Sequence, residues 1–166
     1  MSLIIATVSV SGGGRIGVCG LPGLTGDLEG DLLAITGFDP ALVVSMTEAA
    51  EMEALGAGNL GQRLQHLGID WVHLPIRDFS GLAPEHEDRW PDLSRRLHDL
   101  LDDEKSILLH CRAGRGRSGM IALRLMVERG EDATNALRRL RDKRPGAVET
   151  PEQRLWAVTR EGENTN

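Results

Sequence analysis

The run Ser106-Ile-Leu-Leu-His110 leads directly into Cys111-Arg-Ala-Gly-Arg-Gly116. After it comes Arg117–Arg129, in which Met120, Ile121, Leu123, Leu125, Met126 and Val127 put apolar side chains on most sides. A short apolar run closed by a glycine-bearing loop reads as a buried strand, and a helix that is apolar nearly all round must itself be buried. A buried strand feeding a buried helix is the unit of a parallel sheet with helices on its faces. The fold class expected is therefore α/β, with a central, mainly parallel sheet flanked by helices on both faces.

The rest of the chain agrees with this alternation. Leu3–Val10 and Arg15–Cys19 read as a hairpin turning at Ser11-Gly-Gly-Gly14. Asp27–Ile35 has helical spacing, Ala41–Ser45 reads as a buried strand, and helical patterns return around Thr47–Met52 and over Asn59–Leu67. Ile69–Ile76 reads as a strand and Asp78–Pro84 as a loop. Pro84–Asp103 reads as one amphipathic helix with a break or kink at Pro91. Glu131–Arg141 and Pro151–Arg160 are further helices, separated by a stop at Pro145-Gly146. A chain of 166 residues can bury roughly 70% of its unfolded surface. One domain over residues 1–160 with a frayed tail at 161–166 is expected, and this size excludes reading Asp78-Phe79-Ser80 as a kinase signature.

Composition removes several functional classes. With 19 basic against 25 acidic residues the net charge is −6, and there are five aromatic residues and no tyrosine. Neither general nucleic-acid binding nor a base-stacking surface is expected. No stretch approaches a membrane span, and the start reads as a strand, not a signal peptide. Two cysteines, Cys19 and Cys111, are too few for a disulfide framework and suit the cytoplasm. His66, His73, His86 and His98 lack metal-ligand spacing, and no metal or other cofactor is expected. Oligomeric state is left open.

The loop itself carries chemistry. Backbone N–H groups of Arg112, Ala113, Gly114, Arg115 and Gly116 can curl inward as an anion cradle, with the positive end of the following helix behind them. Arg117 can hold two phosphate oxygens with its planar fork. A helix N-terminus and nearby cations favour a thiolate, and Cys111 in that form can attack phosphorus. Ser118 can donate to the sulfur as it leaves. The side chains of Arg112 and Arg115 either steer dianions from outside or brace the loop. The run lacks the lysine and spacing of a nucleotide-binding P-loop.

Cysteine, five residues, arginine and serine, after His110, resembles the protein tyrosine and dual-specificity phosphatase superfamily. Cys19-Gly-Leu-Pro-Gly23, His73-Leu-Pro-Ile-Arg-Asp78 and Arg144-Pro-Gly-Ala-Val-Glu-Thr-Pro-Glu-Gln153 are similar, more loosely, to the cyclin-dependent kinase-associated phosphatase group. The resemblance implies a metal-independent phosphomonoesterase forming a phosphocysteine on Cys111, with Asp78 as general acid and Glu85 and Asp88 in reserve. Asp70 is expected at the opposite end of its strand. His110 is expected to orient the loop. Gln153 matches a region that positions water in some members, or is an exposed helix residue.

The chain departs from classical tyrosine phosphatases in having no tyrosine to stack on phosphotyrosine; Phe79 or Trp90 would have to substitute, or are core. Cys19 is read as core, with a resolving thiol as the alternative. The expected partner is a phosphorylated protein or a small phosphomonoester. The competing readings are a phosphate-binding pseudophosphatase, or a phosphatase of phosphoinositides or RNA 5′-phosphates.

Overall fold

The computed structural model describes residues 2–159; the proposed tail at 161–166 lies outside them. In chain order the elements are β1 (Ala6–Ser9), β2 (Arg15–Cys19), α1 (Leu28–Phe38), β3 (Pro40–Ser45), α2 (Ala49–Ala54), α3 (Leu60–His66) and β4 (Asp70–His73). They continue with α4 (Pro84–Glu87), α5 (Trp90–Asp102), β5 (Ser106–His110), α6 (Gly116–Glu128), α7 (Ala133–Lys143) and α8 (Pro151–Val158).

The strands form one sheet in the order β1-β2-β5-β3-β4. β1 pairs antiparallel with β2 through the expected glycine turn, and the other three pairings are parallel. β5 is central, and all five of its residues are buried. Successive residues of a strand face opposite ways. Ile107 and Leu109 accordingly join Ile16, Val18, Leu42 and Val44 under α5 to α8. Leu108 joins Val43 and Cys19 under α1 to α3. Gly17 lies on the second face, where a Cβ would come within 2.7 Å of the Phe38 ring.

The sequence pattern over residues 84–103 is corrected. The chain makes a short helix, α4, then a break at Asp88–Arg89, and α5 begins at Trp90 with Pro91 in its first turn. A proline there loses no hydrogen bond, because the first N–H groups of a helix have no partner within it. The interruption therefore precedes Pro91 and does not kink the helix at it. Strand Ile69–Ile76 shortens to β4, although Leu74 N–H still donates to Ser45 O at 2.9 Å and Ile76 N–H to Met46 O at 3.0 Å. Leu3–Val10 shortens to β1. α1 runs past Ile35 to Phe38, where Asp39 closes it in the left-handed conformation, φ 56°. Thr47 stays outside α2, at whose start Glu48 N–H donates to Glu51 Oε2 at 3.2 Å. No helix among the described residues is long and apolar enough to cross a membrane.

Candidate active site

β5 ends in the middle of the sheet and delivers Cys111, 2% exposed, to the carboxyl ends of the strands. The loop after it is fastened from outside. Leu21 N–H donates to Arg112 O at 3.0 Å. Arg144 donates through Nη2 to Ala113 O at 2.7 Å and through Nε to Gly114 O at 2.8 Å. In a planar trans peptide the N–H points opposite to the C=O. Drawing those three carbonyls outward therefore turns the N–H groups of Ala113, Gly114 and Arg115 inward. None of the backbone N–H groups from Arg112 to Ser118 has an acceptor among the described residues. Gly114 makes the curl possible: its φ is +70°, and a Cβ there would lie 2.4 Å from the Cys19 carbonyl carbon.

Ser118, in the first turn of α6, brings Oγ to 3.2 Å from Cys111 Sγ. Arg117 beside it is 1% exposed. Its Nη1 and Nη2 each donate to a different oxygen of Glu51 at 2.8 Å, and Nη1 also donates to Ile76 O at 3.0 Å. A guanidinium has five N–H donors, so one N–H on Nη2 and that on Nε remain. The end-on fork is occupied by Glu51, and the side-on edge, Nε with Nη2, is the one available to a phosphate. Nε makes no hydrogen bond among the described residues and lies 3.5 Å from Asp78 Oδ1.

Electrostatics keeps this pair charged. Burial pulls the Arg117 guanidinium down, but the Glu51 hydrogen bonds, Cys111 and Asp78 together hold it above its ordinary value. The Arg117 hydrogen bonds hold the Glu51 carboxyl below its own, against burial.

His110 is fully buried, and burial lowers its pKa to about 4, so the ring is neutral. Its Nε2 meets Ser45 Oγ and its Nδ1 lies 3.3 Å from Cys111 O. A carbonyl can only accept, so the network assigns the proton to Nδ1. Ser45 then gives its hydroxyl proton to Nε2 and accepts from Trp71 Nε1–H at 2.8 Å.

Asp78 follows the strand-like extension of β4 and is half exposed. Its Oδ1 accepts from Phe79 N–H at 3.0 Å. Glu85 and Asp88, on and just after α4, are exposed and make no hydrogen bond or ion pair to the cradle. Asp70 starts β4, at the strand end away from this loop, and pairs with Arg96. The structure thus brings together Cys111, Ser118, Arg117 and Asp78, with His110 behind the loop.

A family model described as "Polymorphic toxin system, DSP-PTPase phosphatase" (Tc-R-P) matches residues 41–131, from β3 through α6. The chain belongs to this family. It is a cysteine-dependent phosphatase. Tk-PTP in its active form is 29% identical, with a TM-score of 0.65, over 92% of this chain and 95% of that one. Kinase-associated phosphatase, with serine replacing its catalytic cysteine, has the same fold at a TM-score of 0.83 and 23% identity, over 95% and 93% of the two chains. A putative protein tyrosine phosphatase from Leishmania major shares the fold at 0.72 and 19% identity, over 97% and 99%.

Around the cradle, this phosphatase sorts the remaining candidates. Trp90 is core: it is 3% exposed, stacks edge-on with Trp156 and donates to Glu128. Phe79 is 56% exposed and has φ +64°. Arg112 and Arg115 are exposed and make no ion pair with the described residues, so neither braces the loop that way. Gln153 is not an exposed helix residue. It is fully buried, its Oε1 accepts from Glu149 N–H at 2.9 Å and Thr150 N–H at 3.2 Å, and its Nε2 has no partner among the described residues. A Cβ on Gly116 would come within 2.9 Å of that Nε2. Cys19 packs on the opposite face of the sheet from Cys111. Sequence reasoning missed Glu51; the one signal for it was that a buried arginine needs a carboxylate.

Proposed function

We propose that this phosphatase hydrolyses phosphomonoesters, of phosphorylated proteins or small molecules, through a phosphocysteine on Cys111. The observation that carries this is the ring of unpaired N–H groups from Arg112 to Ser118 around a buried thiol. Such a ring is preorganised for three equatorial phosphoryl oxygens, where fixed dipoles in a water-poor site act without reorganising.

The substrate phosphate enters the cradle and takes the Nε–Nη2 edge of Arg117, displacing Asp78 from it. Cys111 Sγ attacks in line. The S–P bond forms, the ester P–O bond breaks, and protonated Asp78 gives its proton to the leaving oxygen. Asp78, now a carboxylate, takes a proton from water as the water oxygen attacks phosphorus. The S–P bond breaks, and Ser118 Oγ–H, 3.2 Å away, stabilises the departing thiolate. Inorganic phosphate leaves. His110 works from behind, holding the Cys111 carbonyl through Nδ1–H and so the turn of the loop.

A mechanism that needs a free thiolate at Cys111 supports a reduced compartment, the cytoplasm, for this activity. The family description supports its use in a polymorphic toxin system.

The test is turnover of an aryl phosphate in the presence of a chelator, with acid quenching to trap phosphorylated enzyme. Wild type should turn over and carry label on Cys111. Cys111→Ser should do neither, yet still bind vanadate or phosphate, because the N–H ring remains. Turnover by Cys111→Ser at the wild-type rate excludes the covalent route.

A further inference from the structure

We infer that helix α8 is the strut that sets the acid loop against the cradle, with Glu152 and Thr150 as positioning residues for Asp78. The inference rests on Asp78 being the general acid. The loop after Asp78 touches α8 at two points. Gly81 N–H donates to Glu152 Oε1 at 3.1 Å, and Thr150 Oγ–H donates to Phe79 O at 2.9 Å. Both partners lie 71 residues away in sequence. Gly81 rests on the helix surface, where a Cβ would stand 3.6 Å from Glu152 and from Trp156 Cβ.

α8 is itself tied to α6, the helix that opens at the cradle. At one end Gln153 packs against Gly116. At the other, Arg124 donates to Trp156 O at 2.6 Å and lies over its ring. The start of α8 is fixed by a reciprocal cap between Thr150 and Gln153, with Pro151 in the first turn. Acid loop and nucleophile loop are therefore referred to one rigid body.

Phe79 shows that the loop is held in place. It occupies φ +64°, a conformation that a bulky residue adopts only when its surroundings impose it. That conformation is bracketed by Phe79 N–H on Asp78 Oδ1 and by Thr150 on Phe79 O. The same peptide segment that carries the acid is thus locked by α8.

The experiment is the leaving-group dependence of kcat for a series of aryl phosphates. Glu152→Ala removes the acceptor for Gly81. It should lower kcat by on the order of tenfold to a hundredfold for poor leaving groups and leave very acidic ones near the wild-type rate. Glu152→Gln keeps a carbonyl oxygen and should restore the wild-type slope. Thr150→Val should behave as Glu152→Ala, and Thr150→Ser should rescue it. Thermal unfolding of each variant separates loop mispositioning from loss of the fold, which would lower rates for all leaving groups alike. In an Asp78→Asn background, Glu152→Ala should add no further loss. If Asp78→Asn shows no leaving-group dependence, the acid assignment fails. If Asp78→Asn shows it and Glu152→Ala has the wild-type slope, the strut is excluded while the acid stands.

Discussion

Arg117 meets Glu51 end-on, each terminal nitrogen 2.8 Å from a different carboxylate oxygen. This paired geometry fixes the plane of a guanidinium that is 1% exposed. It leaves the adjacent side-on edge, Nε and the second proton of Nη2, available beside Asp78.

Removing Glu51 should therefore do more than remove a charge. Glu51→Ala leaves the buried guanidinium with the Ile76 carbonyl and, 3.5 Å away, the half-exposed Asp78, a loss bounded above by the ~3–5 kcal/mol of breaking a fully buried pair. We expect a large fall in the denaturant midpoint together with weaker phosphate binding. Arg117→Lys keeps the charge and loses both edges of the fork. Its kcat/KM should fall by on the order of 10² to 10³, the loss expected for one well-placed electrostatic donor. A Glu51→Ala protein with wild-type stability and phosphate affinity excludes the orienting role.

The relation between these residues also marks how far the sequence could be read. Cys111, Arg117 and Ser118 lie in one continuous loop, so strand, turn and helix patterns were enough to place them. Asp78 needed the family resemblance, since loop carboxylates are common. Glu51 lies 66 residues before Arg117 and is one of 25 acidic residues. Nothing local marks it, because the pairing is created only when the fold brings α2 to the start of α6. For Gln153 the sequence left an exposed helix residue open as the alternative, because its burial is set only by the contact of α8 with Gly116. The alternation of strands and helices was legible because side-chain periodicity is local. The break at Asp88–Arg89 was not, because Pro91 suits either a kinked helix or the first turn of a new one.

Acid should destabilise the fold in two overlapping windows. Burial depresses the His110 pKa from 6.5 to about 4, so the folded state binds the neutral ring. That contribution is complete above 6.5 and is lost as the pH falls toward 4, because the unfolded chain takes up the proton first. For Glu128, burial acts upward, but hydrogen bonds from His98, Ser94, Trp90 and Arg124 outweigh it and lower the pKa from 4.5 to about 2. Its contribution is present above 4.5 and is lost as the pH falls toward 2. Denaturant unfolding measured every half pH unit should show falling stability from 6.5 downward. His110→Asn should flatten the upper window and Glu128→Gln the lower one. An unchanged slope above pH 4.5 in His110→Asn removes the histidine from this account.

Peroxide should inactivate the enzyme at Cys111, and bound phosphate should protect it. Cys19 should not rescue it. The two cysteines belong to core layers on opposite faces of the sheet, and burial pushes the Cys19 thiol well above its ordinary range, which keeps it protonated. A protonated thiol is a poor attacker of a sulfenic acid. Recovery in added thiol should be equal in wild type and Cys19→Ser, measured as regained turnover over time. Slower recovery in Cys19→Ser establishes a resolving role.

Asp78 carries the last prediction. Its Oδ1 is 3.5 Å from Arg117 Nε, the donor proposed for the substrate phosphate, so on that reading carboxylate and phosphate compete for one N–H. Asp78→Asn removes that competition and should tighten inorganic phosphate binding while it slows turnover. As general acid, Asp78 must be protonated while Cys111 is ionised, which gives a bell-shaped pH–rate profile whose basic limb belongs to Asp78. Asp78→Asn should flatten that limb and lower the rate by roughly 10² to 10⁴ for ordinary aryl or alkyl phosphates. The defect should shrink as the leaving group becomes more acidic, because such a group departs without a proton. Equal loss across leaving groups, with the basic limb intact, assigns Asp78 to the support of its loop and turns attention to Glu85 and Asp88 on and beside α4.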